Sequence, residues 1–119
     1  MDFKLDKSRA ICPQIYDRLC AQIASGQFSP DERLPSVREL ALILGVNPNT
    51  VQKTFENLEK DGILYSLRGS GWFVSQNVNK ARTRLNEILN EKTASYFNEM
   101  KALGQDTEAV KNYIKEWCE

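Results

Sequence analysis

The chain contains no histidine, and its three cysteines are not in Cys-x-x-Cys spacing. Histidine is the usual general base of enzymes and the commonest metal ligand, so its absence argues against most hydrolase and zinc-site functions. No nucleophile stands at a motif spacing from a base, and the acidic pairs fit ordinary solvated helix faces. The sequence therefore predicts a protein that is not an enzyme and that uses no metal or cofactor.

A long apolar run is also missing, because no stretch approaches the ~18 residues expected of a membrane-spanning helix. The first residues lack the charged-then-apolar pattern of a secretory signal. The cysteines, Cys12, Cys20 and Cys118, are odd in number and are most simply read as free thiols of a cytosolic chain. These features predict a soluble, cytoplasmic protein.

The chain also has no excess of basic charge. Lys plus Arg and Asp plus Glu each number 16, and the residues up to Gln76 contain nine of each sign. Neither part of the chain is a basic module by count. This balance argues against nucleic-acid binding unless positive charge is concentrated locally.

Apolar residues recur at helical spacing through much of the chain. Ile15, Leu19 and Ile23 predict an amphipathic helix over about residues 13–25. Gly26 ends this helix, and the polar, turn-rich residues 27–33 predict a loop.

Two short helices with a tight turn between them are predicted next. Ser36 and Glu39 have the spacing of a capping box, and Gly45 ends the helix that they start. Asn47 can cap the following helix. Pro48 suits the first position of that helix, because the backbone N–H that proline lacks would have no partner within the helix there. The arrangement is that of a helix-turn-helix.

After Gly62 the apolar period changes to two, which is typical of strands. Two strands around the turn Arg68-Gly69-Ser70-Gly71 predict a hairpin wing. Residues 79–119 predict two further helices, separated at Gly104. The expected fold is mainly α, with a winged helix-turn-helix domain of three helices and a β-hairpin over residues 1–76, followed by a two-helix tail over residues 77–119.

The start of the second helix of this motif is rich in polar side chains. In a helix-turn-helix this helix enters the major groove of DNA, and its first residues meet base edges. Asn and Gln pair with adenine, and Thr contacts bases or phosphates. We therefore predict that Asn49, Thr50 and Gln52, with Lys53 beside them, read DNA. Asn47 is a further candidate, and the alternative for it is that capping uses its side chain. The alternative is a well-capped surface helix.

Positions outside this helix extend the predicted DNA surface. Arg38 lies in the first turn of the preceding helix, where it can reach the DNA backbone or a guanine; alternatively, it pairs with Glu39 or Glu32. The wing turn, with Arg68, Gly69 and Ser70, can approach phosphates or the minor groove; alternatively, it is an ordinary Gly-rich hairpin turn.

The segment LPSVRELALILGVNPNTVQKTFENLEKDGIL, followed by RGSGWFV, resembles the DNA-binding domain of the GntR family of bacterial transcription regulators. The resemblance covers about residues 9–76, where the family's motifs occur in order at matching distances. It implies that the arginine of LPSxREL, here Arg38, contacts DNA. It implies the same for the first turn of the recognition helix, with Asn49, Thr50 and Gln52, and for the wing tip, with Arg68, Gly69 and Ser70. Pro48 departs from the pattern, since many members carry a basic residue there that reads a base.

Residues 77–119 resemble the short tail of the YtrA-type branch of that family. The resemblance implies dimerisation through the tail and genes often encoded near ABC transporters. The tail's apolar residues also exceed what two helices can bury alone, so we expect a homodimer through Leu89, Tyr96, Phe97, Met100, Tyr113, Ile114 and Trp117. Alternatively, the tail folds back on the winged domain of its own chain.

The sequence thus predicts a dimeric regulator, a repressor, that binds a two-fold symmetric operator in double-stranded DNA. The alternative function is a winged-helix protein-interaction module for which DNA binding is incidental. The neutral charge favours the alternative, whereas the polar start of the recognition helix favours DNA. A tail of this length leaves little room for an enclosed effector pocket within one subunit.

Overall fold

The computed structural model describes residues 3–119, which form five α-helices and one β-hairpin. In chain order these are α1 (Ile11–Ala24), α2 (Val37–Leu44), α3 (Pro48–Lys60), β1 (Leu64–Leu67), β2 (Gly71–Val74), α4 (Asn79–Ala102) and α5 (Thr107–Cys118). The predicted winged helix-turn-helix architecture, followed by two helices, is confirmed. The chain divides into two compact units inside α4, between Leu85 and Asn86. This division lies later than the expected boundary after residue 76.

The first helix begins at Ile11, earlier than the predicted start at Pro13. Its N-cap residue, Ala10, makes no side-chain capping bond. Gln14 ties the preceding segment to this helix: its Nε2 donates to the carbonyl oxygens of Asp6 and Ala10 at 2.9 and 2.8 Å, and its Oε1 accepts from the backbone N–H of Asp6 at 2.8 Å. No capping side chain marks this start, so the sequence pattern predicted it too late.

The helix-turn-helix follows the predicted local signals. Ser36 Oγ accepts from the backbone N–H of Glu39 at 3.1 Å, and Glu39 Oε1 accepts from that of Ser36 at 3.3 Å, which completes the capping box. Gly45 ends α2 in the left-handed conformation at φ 67°, where a side chain would be strained. The turn after Gly45 then leads directly to the cap of α3.

The core of the first unit joins α1 to α3. Six side chains, each at most 2% exposed, form the facing stripes: Ile15, Leu19 and Ile23 of α1, and Val51, Phe55 and Leu58 of α3. Phe55 also meets Trp72 of the wing edge-on, with ring centroids 5.5 Å apart. Because the apolar face of α3 is held on both sides, its opposite face is presented on a rigid support.

A third backbone segment, which was not predicted, pairs with the wing. β1 and β2 are antiparallel, with Leu64 opposite Val74. In the segment 27–33, predicted as a loop, the backbone pairs with β2 near its end, where the N–H of Asp31 donates to the carbonyl oxygen of Val74 at 2.8 Å. An isolated bridge joins Arg33 to Phe73. These residues carry no alternating apolar pattern, so no strand was predicted here.

Residues 86–119 form the second unit. Gly104, at φ 83°, follows the end of α4, and Asp106 caps α5 by accepting from the backbone N–H of Ala109 at 2.9 Å. Ile88 and Val110 are the only buried residues in this unit. Among residues 3–119, no helix is both long enough and apolar enough to cross a membrane.

Candidate nucleic-acid interface

The start of α3 is fixed by its cap. Asn47 Oδ1 accepts from the backbone N–H of Asn49 at 2.8 Å, and Pro48 occupies the first helical position. The carbonyl oxygen of Asn47 accepts from the N–H of Thr50 at 3.0 Å. The cap therefore uses the Asn47 side-chain oxygen and sets the direction of the first turn.

The predicted reading residues share the outer face of this helix. Asn49, Gln52 and Lys53 are exposed, whereas Thr50 is half-buried. Thr50 also supports the inner face, because its carbonyl oxygen accepts a 2.8 Å hydrogen bond from Thr54 Oγ1. Asn49, Gln52 and Lys53 thus form the accessible part of the predicted set.

Arg38 is exposed on α2, and its alternative partners are engaged elsewhere. Glu39 completes the capping box, and Glu32 Oε1 accepts from the backbone N–H of Ser29 at 2.9 Å. Within the described residues, neither glutamate forms an ion pair with Arg38. Arg38 and Pro48 line one surface depression, so the first turn of α2 and the start of α3 meet at the same surface.

The wing tip is an exposed turn. The backbone N–H of Ser70 donates to the carbonyl oxygen of Leu67 at 2.9 Å, and Gly69 adopts φ 81° between Arg68 and Ser70. The three predicted residues therefore lie together at the tip, with the Arg68 side chain exposed.

Two cations beside this surface were not predicted from the sequence. Arg33 Nε–H donates to the carbonyl oxygen of Ser70 at 3.0 Å, and Lys7 Nζ donates to that of Gly45 at 2.8 Å, at the turn of the helix-turn-helix. Both contacts join residues more than thirty positions apart along the chain, at separations of 37 and 38. They add positive charge near the turn and the wing, which a count over the whole chain does not reveal.

The C-terminal end of α3 is anchored by a partly buried polar contact. Tyr16 Oη–H donates to Asp61 Oδ2 at 2.5 Å. Burial, together with this hydrogen bond to Asp61, raises the pKa of Tyr16 above its usual value. Burial also raises the pKa of the neighbouring Cys20 thiol to about 12, which keeps it protonated and unreactive.

The tail residues predicted for dimerisation come together in the second unit. A groove of about 750 Å³ is lined by all seven: Leu89, Tyr96, Phe97, Met100, Tyr113, Ile114 and Trp117. Trp117 is 89% exposed, and the exposed fraction of Tyr113 is 52%. A cluster of this kind leaves a large apolar surface in contact with water.

Comparisons with known proteins agree on one family. The family model described as "Bacterial regulatory proteins, gntR family" matches residues 13–74. The HTH-type transcriptional repressor YtrA of Bacillus subtilis (strain 168) is 36% identical over 113 residues, which are 92% of this chain and 85% of the repressor.

Two solved structures extend this similarity to the fold. A GntR family transcriptional regulator from Listeria monocytogenes has a TM-score of 0.81 at 32% identity and covers 94% of this chain and 98% of its own. AraR(DBD) in complex with operator ORX1 has a TM-score of 0.54 at 29% identity, over 63% of this chain and 92% of its own.

Proposed function

The chain belongs to the GntR family of bacterial transcription regulators, and we propose that it acts as a dimeric repressor on a palindromic operator. The observation that carries this proposal is the exposed polar first turn of α3. Asn49, Gln52 and Lys53 project from a helix whose start is capped and whose other face is locked in the core. Such support is what a base-reading side chain requires, because a loosely held donor discriminates poorly.

The contacts proposed around this turn have different roles. Gln52 and Asn49 read bases in the major groove, and Thr50 contributes where its half-buried side chain reaches the DNA. Arg38 and Lys53 contact phosphates or a guanine, and they position the helix. Arg68, Gly69 and Ser70 bring the wing to the backbone or the minor groove beside it, while Asn47 contributes mainly through its cap.

The dimer is proposed from the groove of the second unit. Burying exposed aromatic side chains such as Trp117 is favourable, and a two-fold partner offers the same surface in return. Two DNA-binding domains would then meet two half-sites, about 10 bp or a multiple of that apart. The similarity to YtrA-type regulators makes ABC-transporter genes the first targets to examine.

Selection of bound duplexes from a random DNA library at near-physiological salt tests this function. We expect the unaltered chain to recover a palindrome, and Gln52→Ala to recover it with a weakened preference at the bases that Gln52 reads. Gln27→Ala, an exposed glutamine after α1, is the matched control and should recover the same palindrome. Recovery of no sequence above background would contradict operator binding and favour the protein-interaction function, which the neutral net charge supports.

A further inference from the structure

An apolar depression lies beside Arg38 on the helix-turn-helix. It measures about 430 Å³ and is lined by Arg38, Ala41, Leu42, Val46 and Pro48. Leu42 is 84% exposed, although it belongs to a helix whose other leucines are buried. A single exposed leucine needs no explanation, but here Leu42 joins a continuous apolar surface with the turn and with α3.

The depression spans the parts of the motif proposed to face DNA. Arg38 and Leu42 stand one turn apart on α2, Val46 lies in the turn, and Pro48 is the first residue of α3. Pro48 is flanked by Asn47 and Asn49, yet it has neither an N–H nor a polar side chain. The start of the recognition helix therefore contains one position that cannot donate a hydrogen bond to a base, and that position is continuous with Leu42 and Val46.

We propose that this depression receives the 5-methyl group of a thymine in the operator, while Arg38 at its edge holds a neighbouring phosphate or base. The inference rests on the proposed function, because it assigns a ligand to part of the same DNA surface. The thymine methyl is the one apolar group that a base pair presents in the major groove. Its burial needs an apolar surface and no hydrogen-bonding partner. Leu42, Val46 and Pro48 offer such a surface.

The other bases fit this surface less well. A purine would place its N7 acceptor against apolar atoms and lose a hydrogen bond to water without replacement. Cytosine has a hydrogen at C5 instead of the methyl group and an amino donor at C4 instead of O4, whereas 5-methylcytosine restores the methyl. The cation at the edge makes DNA a better occupant than an apolar peptide, since Arg38 complements the phosphate charge.

The test is a methyl-deletion scan of the operator recovered by selection. Symmetric thymine pairs are replaced in turn by deoxyuridine, which removes only the methyl, and affinity is measured by fluorescence anisotropy at fixed salt. We expect one pair at which affinity falls about fourfold per half-site, the equivalent of one buried methyl-sized group. Replacing that thymine by 5-methylcytosine should bind better than replacing it by cytosine.

Two variants assign the effect to this depression. With Leu42→Ala the deoxyuridine penalty at that pair should shrink clearly, with Val46 and Pro48 left to line the depression, while the penalties elsewhere stay unchanged. Ile43→Ala is the matched control, because Ile43 is exposed on the same helix but does not line the depression. Both side chains are exposed, so neither change opens a cavity in the core.

The outcomes separate this inference from the function on which it rests. A specific operator with a flat deoxyuridine scan would overturn the thymine contact and leave the repressor function standing. A penalty that persists unchanged in Leu42→Ala would overturn its assignment to this depression. If no duplex is bound specifically, both the function and the contact are overturned.

Discussion

Arg33 donates its Nε–H to the carbonyl oxygen of Ser70 at 3.0 Å, so a residue that precedes the helix-turn-helix holds the tip of the wing. Gly71 permits this approach, because a Cβ at that position would lie 3.2 Å from Arg33 Nε. Gly71 also has φ 112°, which side chains rarely adopt. The wing turn is therefore oriented by a partner distant in sequence as well as by its own hairpin.

Removal of this contact should weaken DNA binding more than it weakens the fold. We expect Arg33→Ala to lower operator affinity about two- to fivefold, since one exposed hydrogen bond and one nearby positive charge are lost. Anisotropy titration measures the affinity, and urea unfolding measures the stability. Arg82→Ala, which removes an exposed arginine from α4, is the matched control. Equal losses of affinity for both variants would show that only overall charge matters.

The cap of α3 allows helix stability and DNA binding to be separated at Asn47. Asn47→Ala should lower the free energy of unfolding by about 1 kcal/mol, because the N–H of Asn49 loses its acceptor. Asn47→Asp keeps an acceptor and places a negative charge at a helix start, which is favourable for folding. That same charge should repel phosphates and reduce operator affinity. If Asn47→Asp bound the operator as well as the unaltered chain, Asn47 would lie away from the DNA.

The contact between Tyr16 and Asp61 predicts a change of stability with pH. The pKa of Tyr16 is higher in the folded chain than in the unfolded chain. Its contribution is therefore fully present below the ordinary tyrosine pKa of about 10, and it is lost as pH rises through the folded pKa. Tyr16→Phe should lower the free energy of unfolding at pH 7 by about 1.5–3 kcal/mol.

The difference between Tyr16→Phe and the unaltered chain should then shrink as the pH rises above about 10. Urea unfolding at several pH values provides both numbers. In an Asp61→Asn background, Tyr16→Phe should have a smaller effect, because the charged acceptor is already gone. A constant difference across this pH range would mean that Tyr16 ionises equally in both states.

The tail groove predicts how oligomeric state and DNA binding are linked. Trp117→Glu places a charge in the apolar groove, so we expect sedimentation to detect monomers. Operator affinity should fall about a hundredfold or more, because the second half-site is no longer tethered to the first. Leu103→Glu is the control: Leu103 is 75% exposed but does not line the groove. A monomeric unaltered chain, or a dimeric Trp117→Glu chain, would contradict dimerisation through this surface.

The parts of the fold that were predictable from sequence are those defined by short-range chemistry. The capping box of Ser36 and Glu39, the left-handed Gly45 and the Asn47-Pro48 helix start each depend on residues within a few positions of one another. The apolar faces of the tail helices were also predicted, because helical spacing places apolar residues on one face. What was missed depends on distant partners, as in the contact of Arg33 with Ser70.

The apolar depression illustrates a different gap. Leu42 falls within an apolar stretch of α2 but off the stripe that Leu40 and Leu44 share. Leu40 and Leu44 stand four residues apart on the buried face, whereas Leu42 faces away from it and is 84% exposed. Periodicity identifies a buried face, but it does not reveal which apolar residues beside that face meet over a turn.

The most direct test of the central claim compares two duplexes, the selected operator and a shuffled sequence of equal composition, in one anisotropy experiment. If α3 reads bases, Gln52→Ala should lower operator affinity about tenfold and leave the shuffled duplex nearly unchanged. Arg38→Ala should weaken binding to the operator and, where it contacts phosphate, to the shuffled duplex as well. Gln27→Ala should change neither affinity. An operator preference that survives both Gln52→Ala and Arg38→Ala unaltered would contradict sequence reading by this surface.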